Sequence, residues 1–156
     1  MQKFTLNIHA VASGWAGIAC SVDGHDIGVR ASYLRDSLTE LLTLSAGVTT
    51  CHGVFTEPRR LLWVVEPGAV EWNLTGSDEG LLSISILGHT QAFPTPGKHE
   101  SELGLVHVPA ARFVRSILRA FDDLAERTSP SEFETEWRHR WPQDGIARLR
   151  AAIRSA

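Results

Sequence analysis

The sequence predicts a single α+β domain, in which an antiparallel β-sheet of about six or seven strands is packed on one face by three or four helices. Apolar and polar residues alternate through much of residues 1–90, whereas apolar residues recur at helical spacing in residues 107–156. Between them, residues 91–106 contain Pro94 and Pro96 and predict a long irregular loop. A chain of 156 residues has the length of one ordinary domain, 1–156.

Three short alternating segments open the chain and predict strands with one buried face. The turn dipeptides Ser13-Gly14 and Asp23-Gly24 separate them, so we expect an antiparallel meander. The apolar positions of the three segments are Phe4, Leu6, Ile8 and Ala10, then Ile18, Cys20 and Val22, then Ile27, Val29 and Ala31.

A helix is predicted next, because the apolar period changes from two to about 3.6 residues after Ser32. Ser32 is the predicted N-cap and Gly47 the predicted stop. The apolar face contains Leu34, Leu38, Leu41 and Leu42. The chain then returns to strand-like patterns at residues 49–55, 60–65, 70–75 and 81–87.

The strands on either side of Pro67-Gly68 predict a hairpin. With a two-residue turn, Val65 faces Val70, Trp63 faces Trp72 and Leu61 faces Leu74, so six apolar side chains share one face. A longer loop is an alternative, because a Pro-Gly turn suits a hairpin poorly. The opposite face is predicted to be open to solvent, and it carries Leu62, Val64, Glu66, Glu71 and Asn73, joined by Ser83 and Ser85 of the next strand.

The last third of the chain predicts three helices that cover the sheet. Pro109 is placed as the first residue of a helix whose apolar stripe contains Phe113, Ile117, Leu118, Phe121, Leu124 and Ala125. Ser129-Pro130 begins a second helix that carries Phe133, Trp137 and Trp141, and Pro142 interrupts it. A final helix contains Ile146, Leu149, Ala152 and Ile153.

Composition favours a cytoplasmic protein that binds another protein. No apolar run reaches the ~20 residues of a membrane-spanning helix, so neither export nor membrane contact is expected. Cys20 and Cys51 lie in apolar stretches outside any CxxC, which is typical of buried thiols in a reducing compartment. Acidic residues outnumber basic ones in residues 1–107 and the net charge is −3, which argues against a nucleic-acid partner.

No motif predicts a metal, a cofactor or a nucleophile. The histidines and cysteines that could bind zinc, at His25, Cys51-His52, His99 and His107, lack the spacing of a known zinc motif. Cys51 and His52 are neighbours on a predicted strand, where their side chains would point to opposite faces. Gly14 to Gly17 lacks the lysine of a phosphate-binding loop. Glu66 with Glu71 could perform acid/base work, but an exposed acidic contact surface is the commoner arrangement.

Two motifs carry a resemblance to known proteins. Residues 31–38 read Ala-Ser-Tyr-Leu-Arg-Asp-Ser-Leu before the predicted helix, and residues 66–72 read Glu-Pro-Gly-Ala-Val-Glu-Trp in the hairpin. They resemble a group of small uncharacterised bacterial proteins with an S-Y-L-x-D-x-L helix start and an E-P-G-x-x-x-W hairpin. The resemblance spans about residues 16–90 and rests on residues that determine the fold.

Small acidic α+β proteins of this kind are similar in build to immunity proteins of bacterial toxin systems, which neutralise a cognate toxin by binding it. The similarity implies a non-catalytic protein-binding module with a protein partner, a toxin in the immunity case, and without a cofactor. Immunity proteins frequently carry a stronger negative charge than −3. The predicted partner-binding residues are Glu66, Glu71 and Asn73 on the open sheet face, and Trp15 in the turn after Gly14.

Two other functions remain open from the sequence. The chain is alternatively a small ligand-binding domain or enzyme with a pocket between sheet and helices, where residues 91–106 act as a lid and His99 or His107 lies near the mouth. It is also compatible with a structural subunit of a larger assembly, which would form a homo-oligomer.

Overall fold

The computed structural model describes residues 3–95 and 101–156, and within them the chain forms seven strands and four helices. The α+β class with antiparallel strands is confirmed, but the described strands form two sheets instead of the predicted one. The first sheet contains β1 (Phe4–Ala12), β2 (Trp15–Val22) and β3 (His25–Ser32). The second contains β4 (Arg59–Val64), β5 (Ala69–Gly76), β6 (Leu81–His89) and β7 (Ser101–Pro109). The helices are α1 (Ser37–Thr50), α2 (Ala110–Arg127), α3 (Pro130–Trp137) and α4 (Gln143–Ser155).

The predicted meander of the three-stranded sheet is confirmed, and its two hairpin turns have the expected chemistry. Ser13 and Gly14 have φ values of 53° and 82°, and Asp23 and Gly24 have φ values of 50° and 85°. Two consecutive positive φ angles define the type I′ turn, whose twist matches that of the flanking strands. The Ser13-Gly14 turn sets Ala10 opposite Gly17, and a register irregularity between Ile8 and Ala10 then places Ile18 between Ile8 and Val29. Ala10 is exposed as a result, although the alternation predicts it on the buried face.

Helix α1 begins and ends later than predicted. Ser32 is the buried last residue of β3, and Asp36 is the N-cap, whose carboxylate accepts a hydrogen bond from the Thr39 N–H. Gly47 does not stop the helix, which continues to Thr50. A Cβ atom at Gly47 would lie 2.3 Å from a guanidinium nitrogen of Arg59, so the glycine makes room for that side chain.

The strand predicted at residues 49–55 is wrong. Thr49 and Thr50 belong to α1, and Cys51 is the C-cap of the helix. His52 and Gly53 then adopt φ values of 52° and 76°, which lie in the left-handed region and are incompatible with a strand. Residues 49–51 alternate as in a strand, but α1 extends through them, so no strand forms there.

The hairpin between β4 and β5 has a four-residue connection, residues 65–68, instead of a two-residue turn. Leu61 pairs with Trp72, and Trp63 pairs with Val70, so the register differs by two residues from the predicted one. A shift of two residues leaves every side chain on its predicted face. Leu61, Trp63 and Trp72 are accordingly buried, with the two indole rings 5.3 Å apart edge to face.

The predicted loop of residues 91–106 is shorter than expected, because β7 begins at Ser101 and runs to Pro109. The helical part of the chain therefore begins at Ala110 instead of residue 107. Burial alternates in the second half of β7: Leu103 and Leu105 are exposed, whereas Val106 and Val108 are buried. A register irregularity interrupts the β6–β7 pairing near the start of β7, because Ile86 pairs with Gly104 and Leu87 with Glu102, which leaves Leu103 without a partner residue in β6.

The three C-terminal helices are confirmed with changed ends. Pro109 is the N-cap of α2, and the predicted stripe is buried except for Leu118, which is partly buried, and Ala125, which is exposed. Helix α3 ends at Trp137 because Arg138 takes a left-handed conformation, so Trp141 lies beyond it and packs edge to face on Phe133. None of the helices in the described residues is long and apolar enough to span a membrane.

One hydrophobic core joins the inner faces of both sheets to the helices. Helix α2 packs on β1, and α1 packs on β4, α2 and α4. Each sheet therefore has one inner face in the core and one outer face. The outer faces carry the alternate residues of the strands, which are the more exposed ones.

The S-Y-L-x-D-x-L segment has a structural role at the junction of β3, α1 and the end of α3. The Asp36 carboxylate that caps α1 also accepts a hydrogen bond from the Trp137 indole N–H at 3.0 Å. The Tyr33 carbonyl lies 2.6 Å from Nε2 of His139, and the Arg138 guanidinium stacks on the Tyr33 ring. These contacts connect the first third of the chain to its last third.

Candidate functional site

The outer face of the four-stranded sheet is the candidate partner-binding surface. Cross-strand pairing aligns its side chains in rows, and the two central rows are Arg60–Asn73–Ser85–Leu105 and Leu62–Glu71–Leu87–Glu102. The prediction that Glu71, Asn73 and Ser85 share one face is consistent with this register. The prediction that this face is uniformly open to solvent is wrong, because its two ends differ in burial.

A buried ion cluster lies at the β4 side of this face. The Arg60 guanidinium donates two hydrogen bonds to the Glu71 carboxylate, at 2.8 Å and 2.7 Å. Nε2 of His89 lies 3.0 Å from the same carboxylate and is in position to donate a third. The Glu71 side chain is only 4% exposed and that of His89 only 2%, whereas Arg60 reaches solvent.

The cluster holds Glu71 in its charged form. Hydrogen bonding to Arg60 is the largest influence and lowers the pKa of Glu71 below its ordinary value, although burial acts in the opposite direction. The same hydrogen bond raises the pKa of Arg60. A bidentate pair of this kind is directional, so it fixes the position of β4 relative to β5 as well as neutralising a buried charge.

The chain segment after β6 covers the cluster. Phe93 and Pro94 line a cavity of about 180 Å³ together with Arg35, Arg60, Leu62 and Glu71. The Phe93 ring is itself 60% exposed, so it covers the ion cluster on one side and faces solvent on the other. Arg35 forms its own ion pair with Glu40, at 2.9 Å.

The β6–β7 side of the same face is open. Leu105 is 51% exposed and lies beside Ser85, and Ser83 lies beside His107 in the next row. Leu87 is half-buried. This part of the sheet therefore presents an apolar group among hydroxyl groups. Leu103, on the same strand, is also exposed.

The structure separates the four predicted partner-binding residues. Glu66 is exposed in the β4–β5 connection, as expected for a contact residue. Glu71 is buried, so the expectation of an open carboxylate there is wrong; its two hydrogen-bonded partners explain why burial is tolerated. Asn73 is half-buried, and its amide oxygen accepts no hydrogen bond from a described residue.

Trp15 belongs to the other sheet. It follows the Ser13-Gly14 turn as predicted, but it is the first residue of β2 and is half-buried. The guanidinium carbon of Arg30 lies 5.0 Å from the centre of its ring, a cation–π contact across the outer face of the three-stranded sheet. Trp15 therefore does not belong to the surface formed by Asn73 and Leu105.

Sequence reasoning missed Arg60 and His89 as members of the site. Arg60 could have been found, because the parity that places Leu62 on the outer face also places Arg60 there, next to an opposite charge. His89 lies at the end of β6, opposite Ala69, and gave no comparable signal.

The predicted pocket between sheet and helices has a different place and lining. A cavity of about 440 Å³ lies where the end of α1, the β5–β6 turn, the start of α2 and the end of α4 meet, and its polar lining includes Thr49, His52, Glu79 and Arg115. None of the described residues of the predicted lid lines it. His107 lies in β7 outside this lining, and His99 lies outside the described residues.

Cys20 is buried and Cys51 is half-buried, and both are free thiols. Burial, with a smaller contribution from the Asp26 charge, raises the pKa of the Cys20 thiol to about 12. The Cys51 thiol donates to the Gly47 carbonyl at 3.1 Å in the last turn of α1. Among the described residues, no three His, Cys, Asp or Glu side chains are grouped closely enough to hold a metal ion.

In comparisons with protein-family models, curated proteins and solved structures, the chain matches none of them.

Proposed function

We propose that the chain is a non-catalytic protein-binding module, and specifically an immunity protein that neutralises a bacterial toxin by binding it. The observation that carries the proposal is the outer face of the four-stranded sheet. There, Leu105 is 51% exposed at the end of the row that contains Asn73 and Ser85, and Leu103 of the same strand is 54% exposed. Exposed apolar side chains bordered by polar ones are typical of a protein-contact surface.

The ion cluster beneath Phe93 supports binding better than it supports chemistry. His89 and Glu71 form a pair of the kind used in general acid/base catalysis, but both side chains are almost completely buried and engaged with each other. The Glu71 carboxylate, which also lines the 180 Å³ cavity, already accepts both hydrogen bonds of Arg60. As a structural cluster, they hold the sheet face rigid before a partner arrives, which lowers the entropic cost of binding.

The distribution of charge suggests the chemistry of the partner. Acidic residues predominate in residues 1–107, which include both sheets, and the exposed acids at the edges of the candidate face are Glu66 and Glu102. Since complementary charges accelerate association, a basic toxin surface fits this face. A cytoplasmic location, in which the chain protects its own cell, follows from the same proposal.

The experiment that tests the proposal compares the same substitution at two exposed aliphatic residues, one inside the candidate surface and one outside it. Leu105→Arg places a charge in the candidate surface, and Val54→Arg makes the same change at a residue that is 44% exposed outside both sheets. Proteins of the encoding organism are captured on wild type and on each variant. We expect one partner that is retained by wild type and Val54→Arg and lost with Leu105→Arg.

The same partner is then expressed alone and with each form of the chain. Under the proposal, it stops growth alone, wild type and Val54→Arg restore growth, and Leu105→Arg does not. A partner that is captured equally by all three forms would place binding elsewhere, and a partner that is harmless to the cell would refute the immunity function.

A second candidate function, binding of a small molecule, rests on the 440 Å³ cavity near α1, α2 and α4. His52 and Arg115 give this cavity two basic groups beside Glu79, and its remaining lining is mostly apolar. Thermal-shift measurements against a set of small carboxylates and phosphates test it, because a ligand that binds only the native chain raises its apparent stability. A shift that disappears in Arg115→Leu would support this function.

A further inference from the structure

The outer face of the three-stranded sheet has a pattern of charge and shape that the proposed function does not use. Pairing aligns its side chains in three rows, here called the upper, central and lower rows. The upper row contains Ala10, Gly17 and Arg30; the central row contains Asn7, Ala19 and Gly28; and the lower row contains Thr5, Ser21 and Asp26.

The two charges of this face stand at equal distances from its central row. Arg30 is in the upper row and Asp26 in the lower row, two residues on either side of Gly28 in β3. Both side chains are exposed, and neither forms an ion pair with another described residue. Rotation by half a turn about the central row therefore exchanges the position of a positive charge with that of a negative one.

The packing within one chain does not require the glycines of this face. A Cβ atom at Gly28 would meet nothing closer than 4.0 Å, and one at Gly17 nothing closer than 3.8 Å, and neither residue has a positive φ angle. Glycine in the middle of a strand lowers stability. It does, however, leave β2 and β3 without side chains at these two positions, so another sheet can approach closely there. The nearest larger side chain is that of His9, whose Cβ would lie 3.8 Å from a Cβ at Gly17.

We propose that two copies of the chain pack face to face through this surface, about a two-fold axis that runs along the central row. The upper row of each copy then lies on the lower row of the other, so Arg30 faces Asp26 of the second copy, and this ion pair occurs twice. Gly17 lies on Ser21, and Ala10 lies on Thr5. The stacked Trp15–Arg30 pair supplies aromatic contact area next to each ion pair.

A second copy fits this face better than a foreign partner does. Arg30 and Asp26 lie at the same distance from Gly28 on opposite sides, so each meets the opposite charge when a second copy is turned over. A second copy has the required spacing of charges because it has the same sequence. The interface is small, three strands wide, and its charges are exposed to solvent at the rim. We therefore expect a dimer that forms reversibly and weakens as salt increases.

Charge exchange tests the proposal. The full chain is examined by sedimentation velocity over a range of concentrations at low and at high salt. Arg30→Asp replaces both ion pairs of the dimer by pairs of facing carboxylates. We expect at least about tenfold weaker dimerisation. The double variant Asp26→Arg, Arg30→Asp restores both pairs in reverse and is expected to dimerise within about threefold of wild type. Asp78→Arg, an exposed residue of the β5–β6 turn, serves as the control and leaves the dimer unchanged.

Circular dichroism establishes that each variant is folded, and Asp26→Arg tests the same pair if Arg30→Asp does not fold. A second measurement uses Gly28→Cys, because Gly28 lies on the axis and faces its own copy. A short bismaleimide is expected to link Gly28→Cys into a covalent dimer and to leave Asp78→Cys monomeric. A wild type that remains monomeric throughout, a dimer that Arg30→Asp does not weaken, or a folded double variant without recovery would overturn the proposal.

Discussion

The outer faces of the two sheets differ in whether their charged side chains are buried and paired or exposed. In the four-stranded sheet, Glu71 is buried and held by Arg60 and His89, and Leu105 in the neighbouring row is exposed. In the three-stranded sheet, Asp26 and Arg30 are exposed and lack ion-pair partners among the described residues, above a surface of small residues. A charge that is neutralised within the chain stabilises the fold, whereas an exposed charge is available to a second molecule.

The strongest test of this contrast removes a charge from each kind of environment. Glu71→Ala leaves Arg60 and His89 without their shared acceptor, and we expect the free energy of unfolding to fall by about 3 kcal/mol. Glu66→Ala removes a carboxylate from the same hairpin at an exposed position and is expected to change it by less than about 0.5 kcal/mol. Urea denaturation measures both. Similar losses for the two variants would mean that the cluster is not a structural unit.

Gly68, next to the four-stranded sheet, is in close contact with the backbone, unlike Gly28 of the three-stranded sheet. At Gly68, in the β4–β5 connection, a Cβ atom would lie 2.3 Å from the carbonyl oxygen of His89, and backbone cannot move away cheaply. We expect Gly68→Ala to lower the free energy of unfolding by about 2 kcal/mol. Chemical denaturation measures the loss. A loss below about 0.5 kcal/mol would contradict this prediction, because it would mean that the connection can move away from the His89 backbone at little cost.

The contribution of the ion cluster to stability depends on pH. The pKa of Glu71 is lowered in the folded chain, so its contribution is present above the unfolded value of about 4.3 and is lost as the pH falls through the lower folded value. Glu71→Gln keeps the shape of the side chain without the charge. We expect it to be about 2 kcal/mol less stable than wild type at pH 7, and this difference to shrink below about pH 4. A difference that is independent of pH would assign the loss to packing.

Sequence patterns predicted local structure more accurately than they predicted which surfaces are open. Type I′ turn dipeptides and strand parity are short-range properties, so the meander and the buried face with Trp63 and Trp72 followed from the sequence. Separation into two sheets depends on where α1 packs, which is a tertiary property. The burial of Glu71 accompanies its contacts with Arg60 and His89, and Phe93 and Pro94 line the same cavity from about twenty residues away; strand periodicity predicts neither arrangement.

The smallest expected effect distinguishes a surface glycine that serves an interface from one that serves the fold. Gly28→Ala introduces a side chain where nothing lies within 3.9 Å, and alanine is favoured over glycine in a strand. At concentrations where the chain is monomeric, we expect the variant to be about 0.5 kcal/mol more stable than wild type. At high concentration, the added methyl groups meet across the proposed two-fold axis, so the advantage should diminish as wild type dimerises more strongly. Thermal unfolding over a series of protein concentrations measures both regimes. An advantage that stays constant with concentration would leave Gly28 without a role in dimerisation, and a loss of stability in the monomer would mean that the strand itself requires glycine.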